Sequence, residues 1–296
     1  MRNILTVDVE DWYHGFPPDY RIPQPRIGRL DAGMRFLLDA LEEAHVQATF
    51  FWLGSQAALY PQLLRETVSR GHEIGSHGLD HSPIFKLTPA QFSEETRQSL
   101  SIISDITGKA VSCYRAPYFS INKKTIWALE ILSAIGITHD SSILPMRHWR
   151  TGMPGVGDHI QLISTPNGLI TEVPVTVRSF MGLKVPTCGG GYFRAYPYTL
   201  SSNNIGRCSK NEKPAVVYFH PWEFDAEHPH IKHHSITDAM HYLGLKSSRS
   251  KLLHLLKDHP FGGMMEIANE TQTIADSSVY QKQNVFEPTH IHIEYS

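Results

Sequence analysis

The sequence predicts an α/β fold in which parallel strands, each followed by a helix, close into a barrel. Short apolar runs alternate with amphipathic stretches along most of the 296 residues. Taking turns in this way implies parallel strands joined by crossover helices. Charged and imidazole side chains also fall just after the apolar runs, where a parallel barrel gathers its strand ends on one rim. Six or seven such units fit a barrel better than two separate domains, with an open doubly wound sheet as the alternative.

The elements follow in order. Asn3 to Asp8 is a short apolar run ending in acid, read as a buried strand. Residues 31–45 place Met34, Leu37, Leu38 and Leu41 on one helical face, with Asp31 set to cap the start. Val46 to Leu53 is β-branched and aromatic and reads as a strand. Residues 56–70 form a helix stopped by Gly71, and Glu73–Ser76 a brief strand. Thr88 suits an N-cap, Pro89 a first turn and Gly108 a C-terminal stop, which frames a long helix between them. Further strands are expected at 111–114, 137–139, 169–177 and 215–219, and helices at 122–135 and, in two pieces, 236–258. Residues 145–168 read as loop, Gly189-Gly190-Gly191 as a turn, and Met264–Ala268 as a closing strand. Residues 1–270 are expected to form the catalytic domain. The polar stretch 271–296 is expected to be an extension, with His290 and His292 on one face of an exposed edge strand.

Composition narrows the function. A chain with 41% hydrophobic and 19% charged residues is not disordered. The net charge of −2 lacks the basic excess that binding to nucleic acid by phosphate neutralisation requires. No apolar run reaches the roughly 18–20 residues that span a bilayer. An acid at position 8 interrupts any signal-peptide core, so a cytoplasmic location is expected. Cys113, Cys188 and Cys208 are odd in number and widely spaced, which argues against a disulfide framework. Cys113 reads as a small buried hydrophobe and not as a nucleophile.

Histidine is abundant, at 18 residues. His228, His230, His233 and His234 lie in a polar stretch and read as solvated surface. His77 and His81 stand four apart after a predicted strand; on a helix they would share a face and reach one metal ion. A carboxylate from Asp8, Glu10 or Asp11 would complete an N2O site and leave a position for water, as in hydrolytic zinc centres. Arg115, Asp140 and His220 also follow predicted strands.

In these positions the chain resembles the polysaccharide deacetylases of carbohydrate esterase family 4, the NodB-homology domain. The resemblance covers roughly residues 3–268. It runs through Asp8-Val9-Glu10-Asp11, His77 with His81, Arg115-Ala116-Pro117-Tyr118, Asp140 in His139-Asp140-Ser141-Ser142, and Val216-Val217-Tyr218-Phe219-His220. It implies a distorted (β/α)7 barrel and a metal-dependent hydrolase that removes acetyl groups from sugars. The metal would be zinc, with cobalt or nickel as alternatives. By resemblance Asp8 is the catalytic base and His220 the acid. Arg115 orients Asp8 and keeps it ionised, Asp140 holds and tunes His220, and the backbone N–H of Tyr118 takes the oxyanion.

Two features depart from the family pattern. The spaced acids leave Glu10 and Asp11 both open as the metal ligand. Glu10 would share a strand face with Asp8, as in a variant branch whose two acids are one residue apart, whereas Asp11 would need a turn. The Trp that often stands three residues after the fourth-motif Asp is replaced by Ile143, and Trp222 is the candidate to replace that groove wall. Tyr192 and Arg194 are candidate substrate contacts, and Trp12, Tyr13, Trp149 and Trp222 candidate sugar-stacking faces. The expected partner is an acetylated sugar, an oligosaccharide or a sugar-linked precursor of an envelope polysaccharide. A ring-amide hydrolase of the allantoinase-like branch and a non-catalytic carbohydrate-binding protein are the competing readings.

Overall fold

A computed structural model describes residues 1–20, 22, 26–148, 151–180, 183–231 and 236–281. Its strands, in chain order, are β1 (Asn3–Val9), β2 (Thr49–Trp52), β3 (Glu73–Ser76), β4 (Cys113–Tyr114), β5 (His139–Asp140), β6 (Gln161–Thr165), β7 (Gly168–Glu172), β8 (Val177–Phe180), β9 (Leu183–Pro186), β10 (Val216–Phe219) and β11 (Phe261–Gly262). Nine of them form one sheet in the order β10-β1-β2-β3-β4-β5-β7-β6, with β11 paired to the start of β1; β8 and β9 make a separate antiparallel ribbon. Every pairing in the large sheet is parallel except β6 with β7. The sheet curls, and past β7 the chain returns to β10: the Thr176 N–H donates to the Val216 carbonyl, and the Val216 N–H to Thr176 Oγ1 at 2.7 Å. This is the distorted barrel that the sequence predicts.

Helices α1 (Leu30–Glu43), α2 (Gly54–Leu59), α3 (Pro61–Ser69), α4 (Pro89–Thr107), α5 (Trp127–Ala134), α6 (Gly190–Ala195), α7 (Tyr198–Lys210), α8 (Ile236–Tyr242), α9 (Leu245–Asp258) and α10 (Met264–Gln281) connect the strands. Strand alternation sorts β1 between two cores. Leu5, Val7 and Val9 pack with Met34, Leu37, Leu38, Leu252 and Leu255, whereas Ile4 packs with Phe51, Val216 and Met264 in the other layer. Each such fully buried side chain contributes about 1.5–3 kcal/mol.

The expected helix at 56–70 is two, α2 and α3, because Pro61 has no N–H to continue the first and is suited to open the second. Asp31 does not cap α1; it lies in the first turn and pairs with Arg35. The expected loop at 145–168 contains β6, joined to β7 through Pro166 and Asn167. Helix α7 arises where Ser, Asn and Gly gave no helical signal; burial of Ser201, Asn204 and Ile205 on one face overrides weak propensity. The expected strand at 264–268 is instead the start of α10, because the Glu73 carboxylate accepts the Met265 and Glu266 N–H groups and fixes a helix N-terminus there. Residues 282–296, with His290 and His292, lie outside the described residues.

Candidate active site

The first-strand acids and the two paired imidazoles meet at the C-terminal rim of the sheet. Glu10 follows β1 and keeps its alternation, so it lies on the same side as Asp8. His77 follows β3, and its backbone N–H donates to Trp52 O on the neighbouring strand. The segment 77–81 is not helical: Gly78 (φ 86°) and His81 (φ 57°) turn it through left-handed conformations, which brings the two rings to 5.2 Å. A side-chain oxygen of Glu10 and ring nitrogens of His77 and His81 all lie within 4.8 Å of one another, and all three residues are buried. His77 Nδ1 sits 2.8 Å from the Arg115 carbonyl and donates to it, which leaves the Nε2 lone pair for a ligand. Burial, with help from His81, lowers the His77 pKa to about 4 and keeps the ring neutral. Burial presses Glu10 towards the neutral acid, but His81 and His220 outweigh it and hold the carboxylate below its usual range. One buried anion and two imidazoles converging on a point fit a divalent cation.

Asp11 is not the third donor. Its Oδ1 accepts from the Trp12 N–H at 2.8 Å and its Oδ2 from the Arg29 N–H at 2.8 Å, so it caps the turn 12–15 and ties down the chain entering α1. Asp8 Oδ1 accepts from Arg115 Nη1 at 2.8 Å, and the guanidinium also bonds Thr6 Oγ1 and Ser141. His220 Nε2 faces these acids, 3.9 Å from Asp8 Oδ2 and 3.5 Å from Glu10 Oε1. Burial works against its charge, yet Glu10, Glu223 and Asp8 push its pKa up to about 9.

Asp140 does not hold His220. Its carboxylate is taken by the Ser142 hydroxyl and N–H and by Glu172. Burial and the Asp140 charge raise Glu172 well above the carboxylate range, so this pair shares a proton. The carboxylate beside His220 Nδ1 is Glu223, at 3.2 Å. Arg194 is likewise no free substrate contact; it is buried, with Nε 2.7 Å from Glu223 Oε1. Tyr192 packs 6.1 Å from Tyr196 and is not among the residues lining the cavity.

That cavity, about 340 Å³, is lined by Asp8, Glu10, His77, His81, Tyr118, His220 and Trp222, among others. Tyr118 and Phe119 at its edge are both in the left-handed region (φ 58° and 51°), like His81; only His45 and Glu212 share that conformation among the other described non-glycine residues. Such backbone is sustained where the surroundings over-determine it. A second cleft of about 180 Å³ continues past His14, His81 and Tyr118 to Tyr13, Tyr20, Arg26 and Lys86.

Residues 31–138 match the family described as polysaccharide deacetylase, and residues 141–269 a domain of unknown function (DUF3473). Residues 31–138 are thus similar to the polysaccharide deacetylase family. Peptidoglycan-N-acetylglucosamine deacetylase PgdA of Listeria monocytogenes is 33% identical over 134 residues, 45% of this chain and 28% of the relative. The chitooligosaccharide deacetylase of Bradyrhizobium is 31% identical over 114 residues, 38% of this chain and 48% of the relative. These matches therefore span less than half of either relative. A crystal structure from Mycobacterium smegmatis, described as a polysaccharide deacetylase, covers 100% of this chain and 96% of its own at a TM-score of 0.59 and 17% identity, which supports the fold.

The deacetylase match spans His77, His81 and Arg115, the second match spans Tyr192, His220 and Trp222, Asp140 falls between the two, and the first-strand acids precede both. Trp222 is buried against this centre. Its Nε1 donates to Glu10 Oε1 at 3.2 Å, and its ring stacks on His220 and His241. Trp12 is also buried and donates to the Ile27 carbonyl, while Tyr13 lines the second cleft under Arg26. Trp149 lies outside the described residues. His228 is buried, 5.8 Å from Trp12 in a stacked pair, and is no solvated surface residue; His230 is exposed. His233 and His234 lie outside the described residues. Burial pushes the Cys113 thiol up and leaves it inert.

Sequence reading missed Glu223, His14 and His241. Glu223 stands three residues after His220, a spacing that a short turn converts to contact. His14 lines the cavity, its Nδ1 accepting from the Asp11 N–H. His241, on α8, reaches the cavity through tertiary packing alone, stacked on Phe16 at 4.1 Å.

Proposed function

We propose that this protein is a metal-dependent hydrolase that removes an N-acetyl group from a sugar of a cell-envelope polysaccharide or its precursor. The observation that carries the reading is the buried convergence of Glu10, His77 and His81 in the cavity that also holds Asp8 and His220. A divalent ion held by those three donors, zinc by their chemistry with cobalt or nickel as alternatives, supplies Lewis acidity to the acetyl carbonyl.

This chain's own groups do the remaining work. Asp8, oriented by the Arg115 bond, takes the proton of the attacking water. The backbone N–H of Tyr118, in its left-handed turn at the cavity edge, is assigned to the developing oxyanion. His220 Nε2 gives its proton to the departing amine, which leaves poorly as an anion. The second cleft, with Tyr13 and Tyr20 along it, offers apolar ring faces to a neighbouring sugar and supports an oligosaccharide substrate. Relatives named as peptidoglycan and chitooligosaccharide deacetylases support the same substrate class.

The test is acetate release from N-acetylated oligosaccharides, with metal content measured on the same protein. About one zinc-like ion per chain is expected, and His77→Ala should lose both the ion and the activity. Full activity in metal-free protein, or in Asp8→Asn, would overturn the reading.

A further inference from the structure

We propose that Glu223, clamped by Arg194, is the positioning residue that holds His220 as the proton donor, and that this clamp is built by the α8–α9 turn. The inference rests on the deacetylase reading above.

The contacts form a chain from the periphery to the reacting atoms. Arg194 is 4% exposed. Its Nη1 donates to the carbonyls of His241 at 2.8 Å and Leu243 at 2.7 Å, where α8 gives way to α9. The His241 carbonyl is in the last turn of α8, where carbonyls have no partner within the helix, and Leu243 is the residue just past its end. The guanidinium lies 4.9 Å over the Trp222 ring, and its Nε meets Glu223 Oε1 at 2.7 Å. Lys251, on α9, donates to the carbonyls of Phe193, Arg194 and Tyr196, and so fixes the end of α6 that carries Arg194. Glu223 Oε2 accepts the His220 backbone N–H at 3.0 Å and lies 3.2 Å from Nδ1 of the same residue. Glu223 is 1% exposed. The Glu223 carboxylate, an ion-pair partner 3.2 Å from Nδ1, favours the protonated ring, and its bond to the His220 backbone N–H helps to hold the residue with Nε2 towards the cavity. As the C–N bond breaks, its electron pair goes to nitrogen and nitrogen takes the Nε2 proton. The ring keeps its other proton on Nδ1, on the side of Glu223.

Burial costs a carboxylate a great deal, and here His220 and Arg194 outweigh it and hold Glu223 below its usual range. Asp140, by contrast, shares its proton with Glu172 and spends its oxygens on Ser142.

A role in protonating the leaving group differs from a structural one in its dependence on that group. An amine needs a proton; 4-nitrophenolate does not. The probes are chitopentaose and 4-nitrophenyl acetate, assayed with the metal-loaded full chain. Glu223→Gln is expected to lower kcat on chitopentaose by about 10²-fold with KM within about 3-fold, and to lower 4-nitrophenyl acetate turnover by less than about 3-fold. His220→Ala should show the same split. The double variant should be no worse than His220→Ala alone, because the two act as one unit. Glu223→Asp should recover part of the amide activity, and it stands in if the Gln variant does not fold. Equal losses on both probes, or additive losses in the double variant, would overturn the role of Glu223 while leaving the deacetylase reading intact. Wild-type protein that releases acetate from neither probe would overturn the deacetylase reading itself.

Discussion

At the scale of single residues, the site is a set of buried charges that are tolerable only as partners. Arg115 is fully buried, and its guanidinium meets Asp8, Thr6 and Ser141. Removing it as Arg115→Met would leave Asp8 charged and unpaired in the barrel, a loss of about 3–5 kcal/mol. Asp8→Asn keeps the shape and removes the proposed base. Turnover should then fall by about 10²–10⁴-fold with secondary structure unchanged, measured by acetate release beside circular dichroism. The shared face of Glu10 and Asp8 was legible in sequence from strand alternation, whereas the roles of Asp8 and Arg115 came from the family resemblance. The fate of Asp11 was not, since it depends on Arg29, 18 residues on, presenting an N–H to it. Asp140 misled for a related reason: its strand position gave the correct rim but not the partner, and Glu172 on the adjacent strand claims it.

At the scale of elements, the helices differ in how they bear on the site, and two substitutions separate the cases. Helix α4 is framed by a reciprocal cap between Thr88 and Gln91 and ends at Gly108 in the left-handed conformation. Thr88→Ala should cost about 1 kcal/mol, read as a drop in the thermal midpoint with activity kept, because Thr88 is exposed and does not line the cavity. Helix α1 is different. A Cβ on Gly33 would collide with the backbone of Pro221, in the turn directly after His220. Gly33→Ala should therefore cost about 1–3 kcal/mol through overpacking, despite the better helix propensity of Ala, and should also lower turnover by shifting His220. Local signals made α4 readable to the residue. Helix α7 and the start of α10 were unreadable because burial and the distant Glu73, not propensity, decide them.

At the scale of the whole molecule, neither matched region owns the site. The two candidate metal-ligating imidazoles lie in the first, the proposed acid in the second, and β1 joins them by pairing with β2 on one side and β10 on the other. Packing this many histidines into one curled sheet also gives the protein a built-in sensitivity to acid. His72, His228 and His241 are buried and are not among the candidate metal donors, with His241 on the wall of their cavity. Burial lowers His72 and His228 to about 4 and His241 to about 2, with Arg70 helping at His72 and neighbouring His and Arg charges at the other two. In the unfolded chain each takes up a proton near the ordinary imidazole value of 6.5. Below that pH the unfolded state binds more protons than the folded one, so stability rises with pH between about 4 and 6.5 and is lost as pH falls through that window. For His72 alone the limit is about 3 kcal/mol. The midpoint of urea unfolding should fall steadily from pH 7 to pH 4.5. His72 Nδ1 accepts the Ala48 N–H, a bond that an Asn side-chain oxygen can replace without a titrating group. His72→Asn should therefore flatten part of that slope, and an unchanged slope would show that the acid sensitivity arises elsewhere.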